Sequence, residues 1–205
     1  AHENSLDDSR FTLIDQNFAF LQNYLAFHGI TQVDGILADL GVSSHQFDSG
    51  ERGFSIRYEG ELDMRMNQDQ ELTAKQVVND YEEDRLEFIF KAYADIRNAK
   101  LVARKIVEAR ELKEIETTTQ LIDIVKLLTT FKKENQFLAQ IFQAIRIEVN
   151  QELEVLKKFL LAAQEVLKPG GRLVVISYHS LEDRLVKNMI KKGKIEDEVE
   201  NDVYG

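Results

Sequence analysis

Apolar positions along the chain recur in two ways, as short unbroken runs and as stripes spaced three or four residues apart. Phe11-Thr12-Leu13-Ile14, Val33 to Leu40 and Arg172 to Tyr178 are runs of strand length. Between the first two, Phe18, Leu21 and Leu25 recur at helical spacing and Gly29 supplies a stop. The first part of the chain therefore reads strand, helix, strand, a βαβ unit of a parallel sheet. From about Gln46 to Gln70 the chain is polar, with Gly50, Gly53 and Gly60, which predicts a long loop. Helical stripes then follow one another. Thr73-Ala74-Lys75-Gln76 is a capping box for a short helix through Asn79. Leu86, Ile89, Phe90 and Tyr93 mark a second helix, and Ala99, Val102, Ala103, Ile106 and Val107 a third. Thr118 or Thr119 caps a fourth that carries Leu121, Ile124, Val125 and Leu128. A long stripe from Leu138 to Leu167 predicts one extended helix, stopped at Pro169-Gly170-Gly171. Ser180-Leu181-Glu182-Asp183 opens a last helix through about Lys192.

A parallel crossover needs a dozen or so residues. The stretch from Asp39 to Arg172 is far longer, so a helical insertion between two neighbouring strands is the economical reading. The expected organisation is an α/β core in residues 1–54 and 137–205, interrupted by a loop and an all-helical insertion in residues 55–136.

Composition narrows the function classes. The chain has 205 residues, 43% of them hydrophobic and 30% charged, as in ordinary globular proteins. It has no Cys, which excludes disulfides and thiolate metal sites and fits a reducing cytoplasm. His2, His28, His45 and His179 are too scattered for a metal motif, so no metal is expected. No apolar run is long enough to cross a bilayer, and the polar, acidic N-terminus is unlike a signal peptide. The net charge of −10 argues against non-specific nucleic-acid binding, which needs a positive face. Local basic groups exist, Arg97 to Arg110 and Arg184 to Lys194, and each also reads as a solvated helix face. There is no GxSxG elbow, no Gly-rich phosphate loop and no zinc signature.

Asp39 is the first candidate for chemistry. It ends an apolar run and leads into the small residues Gly41-Val42-Ser43-Ser44. Ligands of open parallel sheets bind at the carboxyl ends of strands, so Asp39 reads either as an acceptor for a ligand amine or hydroxyl or as a turn cap. His45 and Gln46 share its loop. Phe18 reads as a ring that stacks on a flat ligand or as a core residue. Met64 and Met66 read as an adaptable pocket wall or as packing. Arg146 and Asn150, four apart, share one helix face; Arg146 suits either a phosphate or a nearby Glu. His179 and Ser180 end the last strand, with Ser180 as helix cap and ligand group. Arg184 suits a phosphate or a salt bridge to Glu182 or Asp183.

Six blocks, taken together, carry a resemblance. They are Val33 to Ser44, Arg52-Gly53-Phe54-Ser55, Leu62-Asp63-Met64-Arg65-Met66, Phe142 to Asn150, Pro169 to Leu173, and Ile176 to Arg184. In this order they resemble the MraW/RsmH-type 16S ribosomal RNA (cytosine-N4)-methyltransferases, over about Arg10 to Lys192. The resemblance implies a class I, Rossmann-like methyltransferase core with a helical insertion and S-adenosyl-L-methionine as cofactor. Its substrate is the exocyclic amine of a cytidine in the decoding region of 16S rRNA in the small ribosomal subunit. Cofactor contacts map onto Phe18, Asp39 and Gln46. Asp39, Ser43 and His179 are the candidate catalytic acceptors, and Arg146, Asn150, Ser180 and Arg184 the candidate substrate contacts. The central helix departs from the family pattern, since Phe137-Leu138-Ala139-Gln140-Ile141 replaces a frequent His-Pro-Ala-Thr-Arg run. The family also places a Gly-rich cofactor turn and a ribose-binding acid upstream of anything here. The core is therefore expected to be incomplete at its N-terminus, and these 205 residues alone to be inactive. The rival reading is a non-catalytic module that docks on the ribosome or on another protein. A homodimer is left open.

Overall fold

The computed structural model describes residues 8, 10–42 and 50–195. Their contacts divide them into two compact units. One comprises the described residues up to Leu40 and from Leu153 onward; the other runs from Gly41 to Glu152. The second unit is wider than residues 55–136 because Phe54 and the apolar residues from Phe137 to Val149 pack into its core.

The first unit is built on two parallel strands, β1 (Val33–Asp39) and β2 (Leu167–Ile176). Their register runs from Gly35 opposite Arg172 to Asp39 opposite Ile176, with an irregularity between Val33 and Gly35. Pro169-Gly170-Gly171 lies inside that irregular stretch of β2, not in a turn ahead of it. Proline has no N–H for the ladder and is tolerated at such a bulge, and Gly170 takes φ +83° there. Helix α1 (Leu21–Phe27) precedes β1 and is stopped by Gly29 at φ +71°. Successive side chains of a strand point to opposite faces. Ile36, Ala38, Leu173 and Val175 face one way and pack with Leu156, Phe159, Leu160 and Ala163 of α7 (Glu152–Val166) and with Val186 and Met189 of α8 (Ser180–Lys192). Leu37, Val174 and Ile176 face the other way and are exposed, Leu37 at 72%. Parallel sheets are normally covered on both faces, so these strands carry a two-sided apolar pattern while the described residues of this unit cover one side.

Phe11–Ile14 is not a strand. Its backbone is irregular and Phe11, Leu13 and Ile14 are exposed. β propensity describes a fit to a neighbouring strand; β1 and β2 pair only with each other among the described residues. The expected first βαβ unit is therefore absent there.

The second unit is helical, with α2 (Ala74–Asp80), α3 (Glu83–Ala94), α4 (Ala99–Leu112), α5 (Thr118–Val125) and α6 (Glu134–Asn150). Leu86, Ile89, Phe90, Val102, Ile106, Leu121, Ile141 and Ile145 are fully enclosed in its core. The Thr73–Gln76 capping box forms as expected. The cap of α5 is Thr117, in a box with Gln120, one residue before Thr118. Thr118 is taken by a distant partner: its hydroxyl donates to Tyr58 O at 3.0 Å and accepts from Gly60 N at 3.1 Å. The loop from Gly50 to Leu72 is irregular but pinned. Asn150 holds it by donating to Met64 O at 2.8 Å and accepting from Met66 N at 2.7 Å. Met64 is fully buried, so it serves as packing.

The long stripe from Leu138 to Leu167 is two helices. α6 ends at Asn150, Gln151 turns to φ +49°, and α7 begins at Glu152. A left-handed non-glycine residue costs about 1–2 kcal/mol. Because the apolar stripe continues across the break, periodicity alone does not register it.

Candidate active site

The two strands end side by side, and their last residues carry the polar groups. The apolar run of β1 is cut off by Asp39, and Gly41 at φ +83° turns the chain away. By strand alternation Asp39 falls on the uncovered face with Leu37, and it is exposed. Its Oδ1 accepts a hydrogen bond from the Tyr178 hydroxyl at 2.9 Å, while Tyr178 itself is 67% exposed. That bond and the negative charge of Asp39 hold the Tyr178 phenol above its usual range. No hydrogen bond occupies Asp39 Oδ2 among the described residues, so the carboxylate has room for a hydroxyl or amine.

His179, not Ser180, is the N-cap of α8. Its Nδ1 accepts from Glu182 N at 3.5 Å, and its Nε2 lies 3.2 Å from Glu182 Oε1. An accepting Nδ1 leaves the proton of a neutral imidazole on Nε2, which is buried beside the carboxylate and makes no hydrogen bond among the described residues. Glu182 Oε2 accepts from Tyr178 N at 2.9 Å. Burial pushes the Glu182 carboxyl up, but the nearby His179 ring and the hydrogen bond from the Tyr178 amide outweigh it, and the group ends below its ordinary range. One buried carboxylate thus fixes the Tyr178 backbone and lies against the His179 ring. Ser180 is exposed at the first helical position, and Arg184 is exposed one turn on.

Phe18 begins a short turn capped by Asn17, whose Oδ1 accepts from Ala19 N at 2.9 Å. Its ring meets Phe159 edge-on at 5.2 Å and remains 44% exposed, an anchored ring with one free surface. Arg146 and Asn150 belong to the helical unit. Arg146 donates through Nε and Nη2 to both oxygens of Glu152, at 2.8 and 3.1 Å. Asn150 holds the Met64–Met66 loop. Ser43 and Gln46 lie outside the described residues, as does His45. Asp39 and His179 thus come together with two residues that sequence reasoning did not single out, Tyr178 and Glu182. Both sit in the Ile176–Arg184 block. Strand parity, which puts Tyr178 on the side of Asp39, was the available signal.

Residues 2–203 match the MraW methylase family. The chain belongs to the MraW methylase family. Ribosomal RNA small subunit methyltransferase H of Christiangramia forsetii is 59% identical over 205 residues, all of this chain and 68% of that protein. The protein of the same name from Flavobacterium johnsoniae is 59% identical over 202 residues, 98% of this chain and 67% of the relative. That of Bacteroides thetaiotaomicron is 54% identical over 205 residues, again 67% of the relative. The chain therefore spans about two thirds of the length of these relatives.

MraW methylases use S-adenosyl-L-methionine. That molecule offers a flat adenine, ribose hydroxyls and an amino group. The open acceptor on Asp39 and the free surface of the Phe18 ring fit groups of those kinds. Among the described residues no helix is long and apolar enough to cross a membrane.

Proposed function

We propose that the protein methylates the N4 amine of a cytidine in the decoding region of 16S rRNA, on a class I, Rossmann-like core with the helical unit as an insertion. The observation that carries this reading is an open acceptor, Asp39, at the carboxyl edge of a parallel sheet, in a chain 59% identical throughout to a named ribosomal RNA methyltransferase.

Bound S-adenosyl-L-methionine supplies an electrophilic methyl on sulfur. Phe18, Asp39 and Gln46 are the residues proposed to hold it. The amine of cytosine is a poor nucleophile because its lone pair is delocalised into the ring, so the protein's task is alignment and charge stabilisation. Asp39 accepts a hydrogen bond from that amine and stabilises the positive charge that grows on it. Ser43 and His179 are the alternatives for that acceptor. Glu182 keeps the Tyr178 backbone in place while this happens, with the His179 ring beside it. Ser180 and Arg184 are proposed to hold the RNA at the start of α8. Arg146 and Asn150 act on the substrate through the loop and the Glu152 pairing they maintain.

The test is methyl transfer from radiolabelled S-adenosyl-L-methionine by the full-length protein to small ribosomal subunits that lack the modification. Label on one cytidine of 16S rRNA is the expected result. Subunits that bind the protein and take up no label would favour a non-catalytic docking module.

A further inference from the structure

Tyr178 stands between the end of β2 at Ile176 and the start of α8 at Ser180. It is 67% exposed, yet it is held at two points. Its hydroxyl donates to Asp39 Oδ1 at 2.9 Å, and its amide donates to Oε2 of the buried Glu182 at 2.9 Å. An exposed tyrosine without such ties samples several rotamers. Here the backbone and the tip of the ring are both fixed. Among the described residues no aromatic ring and no cation packs on the ring's faces.

The place of this ring matters because of what shares its anchor. The two oxygens of a carboxylate are neighbours, so a group held on Asp39 Oδ2 lies alongside the phenol held on Oδ1. In the proposed reaction that group is the amine of cytosine. Cytosine is flat, and its amine must meet both the acid and the methyl group. Stacking on a fixed aromatic face sets the plane of the base. The hydrogen bond to Asp39 then sets its rotation within that plane. Alignment of this kind is what transfer to a weak nucleophile requires. A target base must also leave its stack in the RNA, which costs free energy; a ready aromatic face offsets part of that cost.

We infer that Tyr178 is the stacking platform for the target cytosine, the ring that sets the plane of the base whose amine Asp39 accepts. The inference rests on the methyltransferase reading above and adds to it the residue that places the substrate base. Phe18 is not equivalent: its ring is anchored edge-on to Phe159 and has no polar tip to tie it to an acid. Ser180 and Arg184, proposed to hold the RNA, follow Tyr178 closely in the chain.

The experiment uses the full-length protein and small ribosomal subunits that lack the modification, with single-turnover methyl transfer as the readout. Tyr178→Phe keeps the ring and removes the tie to Asp39, and is expected to slow transfer about threefold. Tyr178→Leu removes the ring as well, and is expected to be slower than Tyr178→Phe by about a further tenfold, one stacked base. Affinity for S-adenosyl-L-methionine, read by calorimetry, is expected to be unchanged in both. The side chain is largely in water, and circular dichroism confirms that the variants fold. In a second arm, subunits are reconstituted with 16S rRNA that carries 5-bromocytidine at the target. Irradiation is expected to join that base to Tyr178 in the wild-type protein, mapped by mass spectrometry. Equal transfer rates in Tyr178→Phe and Tyr178→Leu overturn the inference and leave methylation standing. So does a cross-link to another residue, or a loss of cofactor affinity confined to Tyr178→Leu, which would assign the ring to the cofactor. A cross-link at Tyr178 with no methyl transfer by the wild-type protein to unmodified subunits instead overturns the proposed function.

Discussion

Phe90 and Leu37 show how differently the two units use apolar residues. Phe90 sits in the middle of α3, closed in by α4 and α6, with none of its surface in water. Leu37 sits in the middle of β1, with 72% of its surface in water. The helical unit spends its pattern on a closed core; the described residues of the sheet unit cover one face of its strands, and Asp39 shares the other. The neighbouring side chains at the start of α8, His179 and Glu182, are buried.

If that contrast is right, substitutions should separate the units by size of effect. Phe90→Ala is expected to destabilise the helical unit by about 3–5 kcal/mol, the cost of a large cavity in a closed core, read from urea denaturation. Glu148→Ala comes next. Glu148 accepts from Tyr81 Oη at 3.0 Å and from Arg85 Nη2 at 2.6 Å. A fully buried pair costs about 3–5 kcal/mol to break, but Arg85 is half in water, so about 2 kcal/mol is expected. The same variant has a second readout. Burial first, and the Glu148 charge second, push the Tyr81 phenol up to about 12. Without Glu148 its absorbance titration is expected to move down while staying above the ordinary value, because burial remains.

Glu182→Gln is expected to cost about 1–2 kcal/mol near neutrality, and to do so in a pH-dependent way. The folded carboxyl lies below its ordinary range, so its contribution is complete above the unfolded value and is lost as pH falls through the folded one. The variant and the wild type are expected to converge in stability at acid pH. Leu37→Thr closes the series at within about 0.5 kcal/mol, as for an exposed site. A large loss there would mean that the open face is packed in solution, and the contrast between the units would fall.

The helical unit was legible because a 3.6-residue stripe reports burial directly, and α2 to α6 carry one each. The misreadings fall where the deciding partner is far away in sequence. Thr117, Thr118 and Thr119 are equally good caps on paper; Thr118 is withdrawn by Tyr58 and Gly60 across the unit. Ser180 looked like the cap of α8, but His179 reaches the same amide from one residue earlier. Phe11–Ile14 has strand residues and, among the described residues, no strand beside it, a condition that no local pattern contains. The break at Gln151 has no Gly or Pro to announce it. At the site, Asp39 stood out as an acid ending an apolar run. Tyr178 did not, because only the parallel pairing of β1 with β2 brings its hydroxyl to that acid.

The central claim is that Asp39 acts on the amine that receives the methyl group. Asp39→Asn in the full-length protein keeps the size of the side chain and removes its charge. Single-turnover methyl transfer to small subunits at saturating S-adenosyl-L-methionine, with cofactor affinity measured alongside, tests the claim directly. Loss of one preorganised electrostatic group costs about a hundredfold or more in rate, and the transfer step is expected to fall by that much. Transfer at the wild-type rate with cofactor binding unchanged would contradict it.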